Sequence, residues 1–206
     1  DRADLANRRI GEMVCAENIP PAERHRFWAT SLAVIRIGDR SIEYCQIGDA
    51  MIMLIDRDGA FRMVVPAIDI DRETLDRWKR SPVPETVTIH DHLADRILQV
   101  RLEMNVSYGS LNGEPEALRF LRCGQLDPAG VSDILLFTDG LFLPREDPMT
   151  VDDWQSFVDI YRQGGLQAVR DCVRGVQCDD VFCRKYPRFK QYDDIAAAAI
   201  RLNGCR

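Results

Sequence analysis

Basic residues are outnumbered, histidines number only three, and no apolar run approaches the roughly 18 residues that a membrane-crossing helix needs. Each shortage excludes a class. A net charge of −6 argues against a general nucleic-acid binder, which carries a basic face. The start Asp1-Arg2-Ala3-Asp4 has no apolar core segment after it, so no secretory signal is read there and a cytoplasmic location is expected. His25, His90 and His92 have no ligand spacing. The seven cysteines are odd in number and scattered, and Cys15 and Cys45 sit in apolar stretches where free thiols act as small hydrophobes. That usage suits a reducing compartment. Cys172, Cys178 and Cys183 lie closer together but lack the paired short spacing of a zinc site. Repeats, low-complexity tracts and linkers are also missing, so residues 1–206 are read as one domain.

What is present is 46% apolar residues and 29% charged ones, the composition of a soluble globular domain. Leu5, Ile10, Met13 and Val14 recur at helical spacing over 4–15, closed by Pro20-Pro21. Strands are expected over 27–37, 40–47, 50–55 and 61–65, with turns at Gly38-Asp39 and Asp56-Arg57-Asp58-Gly59, as one β-meander. Helices are expected over 71–80 and 91–104, the second with a Leu93, Ile97, Leu98, Leu102 stripe. Residues 105–113 read as a connecting loop, with a flap beside a cleft as the other reading, and 117–123 as a strand. Thr150 is expected to cap a helix whose Trp154, Phe157, Val158 and Tyr161 face the core. Gly164-Gly165 should break it before a further helix over 166–173, and 195–202 is the last strand.

The run Ile134-Leu135-Leu136-Phe137 is the most informative. Four large apolar residues in a row predict a strand buried on both faces. It stops at Thr138-Asp139-Gly140, a chain reversal at the mouth of a sheet. Gly48-Asp49-Ala50 and Asp193-Asp194-Ile195 repeat the form of a carboxylate beside an apolar strand. Carboxylates converging without histidine or thiol partners suit a hard dication such as Mg²⁺ or Mn²⁺. Such an ion makes a nucleophile of water at neutral pH, which suits phosphoester hydrolysis. Capped turns and solvated strand ends are the structural alternative for each of the three.

In order, the motifs resemble the metal-dependent protein phosphatases of the PPM (type 2C) family, in its bacterial branch. Ala29-Thr30-Ser31-Leu32-Ala33-Val34-Ile35 resembles its strand of small and apolar residues, and Tyr44-Cys45-Gln46-Ile47-Gly48-Asp49-Ala50 its glycine-aspartate motif between two strands. Leu135-Leu136-Phe137-Thr138-Asp139-Gly140 is similar to its (S/T)DG strand end, and Tyr192-Asp193-Asp194-Ile195 to its closing aspartate-strand motif. The resemblance implies an α+β fold, an α-β-β-α sandwich of two mainly antiparallel sheets flanked by helices. It implies two or more Mn²⁺ or Mg²⁺ ions, a phosphoprotein substrate and a metal-activated water. Asp139 and Asp193 take the positions of the catalytic metal ligands, together with Gly140. Asp49 takes that of a more peripheral metal carboxylate, and Asp194 ranks below Asp193.

The family's early Asp-Gly strand, which supplies an aspartate bridging two metals, has no counterpart in this sequence. The domain is therefore expected to be N-terminally incomplete, with a pseudophosphatase acting as a regulatory binding module as the alternative. The phosphate-gripping arginine near the chain start is missing for the same reason. Arg188 and Lys190, in Pro187-Arg188-Phe189-Lys190, are the candidate substitutes, since a guanidinium can grip phosphate with two hydrogen bonds. The alternative is that both only balance Asp193 and Asp194.

Overall fold

Two long buried strands set the architecture. The structure is a computed structural model that describes residues 2–38 and 40–202; Asp1, Asp39 of the expected turn, and Cys205 lie outside the described residues. The chain divides into two compact units. The first comprises the chain to Ile68, Arg101–Leu136 and the chain from Ala199 on; the second comprises Asp69–Val100 and Phe137–Ala198.

The first unit opens with α1 (Arg2–Ala16), as the spacing predicts. Strands β1 (Leu32–Ile37) and β2 (Ile42–Ile47) pair antiparallel, and β2 pairs antiparallel with β5 (Arg122–Leu126). A second sheet has the order β4-β3-β6-β7, from β3 (Met51–Asp56), β4 (Phe61–Met63), β6 (Val131–Phe137) and β7 (Ala197–Arg201). The antiparallel β3–β4 hairpin is the one the Asp58-Gly59 turn predicts. The single meander is corrected: β1 and β2 belong to one sheet, β3 and β4 to the other. The crossing is made at Gly48, whose φ of +76° is left-handed, and where a Cβ would lie 2.3 Å from Ser31 Oγ.

Ile42, Ile52, Leu54, Val131 and Ile134 form the core between the sheets, with Ile35, Tyr44, Leu126 and Ile200 packed against them. In β6, Ile134 and Leu135 are both fully buried, so the apolar run is covered on both faces. Each such side chain contributes about 1.5–3 kcal/mol by leaving water. The architecture is α+β with two antiparallel sheets, as expected.

One element assignment in the middle of the chain is corrected, and of the two readings of 105–113 the connecting loop stands. Residues 117–123 are not one strand: Pro115–Phe120 is a 3-10 turn, and β5 starts at Arg122. Pro115 favours the first helical position, where its missing N–H costs nothing. Nor does 105–113 form a flap. Asn105 (φ +57°), Ser110, Leu111 and Asn112 are buried. Asn105 Nδ2 donates to Asn112 Oδ1 (2.8 Å) and Glu114 Oε2 (3.0 Å), and Arg24 grips Glu114 through Nε (2.8 Å) and Nη2 (2.7 Å). Cys45, read as a free apolar thiol, is instead bonded to Cys123.

The second unit is helical. It holds α2 (Arg72–Arg80), the short α3 (Ile89–His92) and most of α4 (Ala94–Leu102). One helix was expected over 91–104; Leu93, at φ −116° and ψ 27°, divides it, and Leu98 and Leu102 of its stripe remain exposed. Helix α5 (Trp154–Asp179) is capped by Asp153, whose Oδ1 accepts from Ser156 N (3.0 Å), rather than by Thr150. Phe157, Val158 and Tyr161 are buried as its pattern predicts. The kink falls at Gly164-Gly165, where Gly165 has φ +69°. Among the described residues no helix is long and apolar enough to cross a membrane.

Candidate active site

Beyond the last residue of β6, Thr138 ties the strand end to the segment that enters β7. Its N–H donates to Ala196 O (3.0 Å), its hydroxyl donates to Asp194 O (3.2 Å), and Ala196 N donates back to the hydroxyl (3.1 Å). The chain then makes a 3-10 turn over Asp139–Leu141, closed by Leu141 N to Thr138 O (3.0 Å) and Phe142 N to Asp139 O (2.8 Å). Gly140 sits on the backbone of the other segment. A Cβ there would lie 2.2 Å from Asp194 O and 3.3 Å from Asp193 Cβ. Only glycine permits that approach, and it sets the Asp139 turn against Asp193 and Asp194. The Thr-Asp-Gly motif and the Asp-Asp motif are thus one contact, within the second unit.

Asp193 is half-buried and well held. Its Oδ1 accepts from Lys190 Nζ (2.7 Å) and from Asp194 N (2.8 Å). Its carbonyl accepts from Nη2 of Arg174 on α5 (2.7 Å); Nη1 of the same guanidinium donates to Gln177 Oε1 (2.7 Å), and its Cζ lies 5.3 Å from the centre of the Tyr192 ring. The hydrogen bond to Asp193 holds the Lys190 ammonium above the usual lysine range; partial burial opposes this, and the charges of Asp193, Asp194 and Asp139 add to it. One ammonium therefore feels all three carboxylates.

Arg188 does other work. Its Nε donates to Gln191 O (3.1 Å), Nη1 to Asp180 Oδ2 (2.8 Å) and Tyr186 O (2.7 Å), and Nη2 to Gln177 O (3.2 Å) and Asp180 O. All five guanidinium donors are engaged, which leaves none for a phosphate. The phosphate-gripping reading of Arg188 is corrected: it clamps the turn after α5. Asp180 is the hub of that clamp. Burial would raise its pKa, but the N–H groups of Tyr186, Arg184 and Lys185 and the Arg188 guanidinium together hold it below the usual carboxylate value.

Asp49 belongs to the first unit. It follows Gly48 at the end of β2, accepts a hydrogen bond from Ser31 Oγ and donates its own N–H to that oxygen (3.3 Å). Arg174 and Thr138 are the residues that sequence reasoning missed. Thr138 stands inside the motif it serves. Arg174 lies 19 positions before Asp193, and no spacing rule links them.

Asp139 and Asp193 are hard-oxygen donors of the type Mn²⁺ and Mg²⁺ prefer. As a donor set they fit one side of such a site. Among the described residues, no group of three or more histidine, cysteine, aspartate or glutamate side chains is gathered around a common point.

Comparisons with known proteins bear on the family and the fold. The family model described as Protein phosphatase 2C matches residues 15–174. Among solved structures, the serine/threonine phosphatase PstP/Ppp of Mycobacterium tuberculosis is similar at a TM-score of 0.52 and 16% identity, over 96% of this chain and 68% of that one. PppA of Pseudomonas aeruginosa gives 0.54 and 16%, over 97% and 67%, and the serine-threonine phosphatase 2C of Toxoplasma gondii 0.56 and 13%, over 97% and 64%. The PstP catalytic domain has also been solved in complex with two manganese ions, at 0.51 and 17%, over 96% and 68%. At these identities the likeness is one of fold. Among curated protein sequences none matches the chain. The match over most of the chain, on a fold with the motifs placed as described, means that this chain belongs to the protein phosphatase 2C family.

Proposed function

We propose that this chain acts as a metal-dependent protein serine/threonine phosphatase, hydrolysing the phosphomonoester of a phosphoprotein. The observation that carries the reading is the seating of Gly140 on Asp194, which sets the Asp139 turn against the Asp193 segment, where Lys190 pairs with Asp193 and also feels the charge of Asp139. In it, Asp139 and Asp193 hold the metal, with Gly140 contributing its close backbone approach. Asp49 has second rank, as ligand to a further ion. Mn²⁺ or Mg²⁺ supplies a water nucleophile at neutral pH and neutralises charge on the phosphoryl oxygens. Lys190 is the substrate-side cation, since its stem leaves the ammonium half-exposed among the carboxylates. Arg174 and Thr138 position the Asp193 segment from behind.

The test is hydrolysis of p-nitrophenyl phosphate with Mn²⁺. Activity should be abolished in Asp139→Asn and in excess EDTA, and fall less in Asp49→Asn. Activity that persists in Asp139→Asn or in EDTA would sink the assignment. A second reading, a regulatory binding module on the same fold, is favoured by the Lys190–Asp193 ion pair, which already neutralises one expected metal ligand. Titration calorimetry separates the two: no heat with Mn²⁺ and no hydrolysis would select the second.

A further inference from the structure

The three-stranded sheet carries chemistry that the phosphatase reading leaves unused. Cys45 on β2 and Cys123 on β5 are direct register partners and are joined as a disulfide. Cys123 is exposed and Cys45 half-buried. The bond lies in an open groove of about 770 Å³ within the first unit, lined also by Arg2, Arg36, Glu43 and Gln125. Three other cysteines, Cys15, Cys172 and Cys178, are exposed free thiols. That is the usage of a reducing compartment, where a closed and exposed pair is of the exchanging kind.

We propose that Cys45–Cys123 is a reversible thiol–disulfide site for a low-molecular-weight thiol that carries carboxylate and ammonium groups. Arg2 and Arg36 offer guanidinium groups to carboxylates at the rim, and Glu43 an acceptor for an ammonium. The Arg36–Glu43 pair is itself on the surface, where such pairs are weak and exchange readily. The incoming thiol gives its proton to water, and its thiolate attacks Cys123 Sγ, the accessible sulfur. The Cys45–Cys123 bond breaks, and its electron pair leaves on Cys45 Sγ, which takes a proton. A second thiolate attacks the small-molecule sulfur of the mixed disulfide and expels Cys123, which is then protonated. Two small thiols become one disulfide, and the protein disulfide becomes two thiols. The β2–β5 register extends on both sides of the pair, from Ile42↔Leu126 to Gln46↔Arg122, and so holds the two sulfurs opposed for re-closure.

Differential alkylation with peptide mass mapping tests this, using glutathione as the charged thiol and 2-mercaptoethanol as the uncharged one. Before reductant, Cys45 and Cys123 should be protected while Cys15, Cys172 and Cys178 are labelled. Glutathione should expose both, and glutathione disulfide should close them again. Arg36→Gln should slow the reaction with glutathione by about 2- to 5-fold and leave that with 2-mercaptoethanol unchanged. Labelling of Cys45 or Cys123 before reductant overturns the proposal, as does a pair that stays closed in excess glutathione. An Arg36→Gln variant that slows both thiols alike, or neither, overturns the charged groove.

Discussion

Gly140 is the residue on which the candidate site turns, because its missing side chain is what lets two segments touch. Gly140→Ala would place a methyl group 2.2 Å from Asp194 O, against backbone that cannot swing aside. We expect a loss of about 1–3 kcal/mol in urea unfolding, and loss of phosphatase activity even though every carboxylate is retained. Near-normal activity would show that the Asp139–Asp193 approach is not needed. Glu114 makes a different prediction. Burial pushes its pKa up, but hydrogen bonds from Arg24, Asn112 and Asn105 outweigh this and bring it from 4.5 to about 2. A carboxyl lowered in the folded state stabilises above its unfolded pKa, and that contribution is lost as pH falls from about 4.5 to about 2. With solvent screening allowed for, about 1–2 kcal/mol should disappear over that window. In Glu114→Gln, stability should be lower at neutral pH and its decline across the window smaller, as read by urea midpoints.

Elements were legible where local chemistry decided them. The β6 run, the Asp58-Gly59 hairpin and the Gly164-Gly165 break each follow from a few adjacent residues, and so do the Asp139-Gly140 and Asp193-Asp194 ends of the site. What sequence did not show depends on partners that neither adjacency nor periodicity reveals. Arg188 looks like a phosphate ligand beside Asp193 until Asp180 and four backbone carbonyls consume its donors. β1 to β4 read as one meander because alternation reports which residues are buried and not which sheet buries them. Cys45 and Cys123 are 78 residues apart, and only the β2–β5 register makes them neighbours. That pairing has a measurable consequence at the scale of the sheet. A disulfide closing so long a loop is worth about 2–4 kcal/mol, so reduction should lower the melting temperature by roughly 5–15 °C. Cys123→Ser should melt near the reduced protein and be insensitive to reductant, as followed by circular dichroism; equal melting of oxidised and reduced protein would leave the bond without a role in stability.

At the scale of the whole molecule, the question is whether the acidic chain gains free energy from a dication. The net charge of −6 favours cations in general, so a specific site has to be separated from a diffuse one. Mass action does this. A ligand that binds only the folded state stabilises by about 2.7 kcal/mol at a hundredfold excess over its dissociation constant. For a chain of this length that corresponds to a rise of about 5–10 °C in melting temperature. We expect Mn²⁺ to produce such a rise, saturating with concentration. Asp139→Asn and Asp193→Asn should each remove most of it, although each also removes one negative charge. Exchanging a carboxylate that is not part of the candidate site, as in Glu12→Gln on α1, removes the same charge and should leave the rise intact. If Glu12→Gln and Asp139→Asn reduced the rise equally, Mn²⁺ would be answering net charge alone. The Asp139–Asp193 pair would then be a structural turn contact on a phosphatase fold.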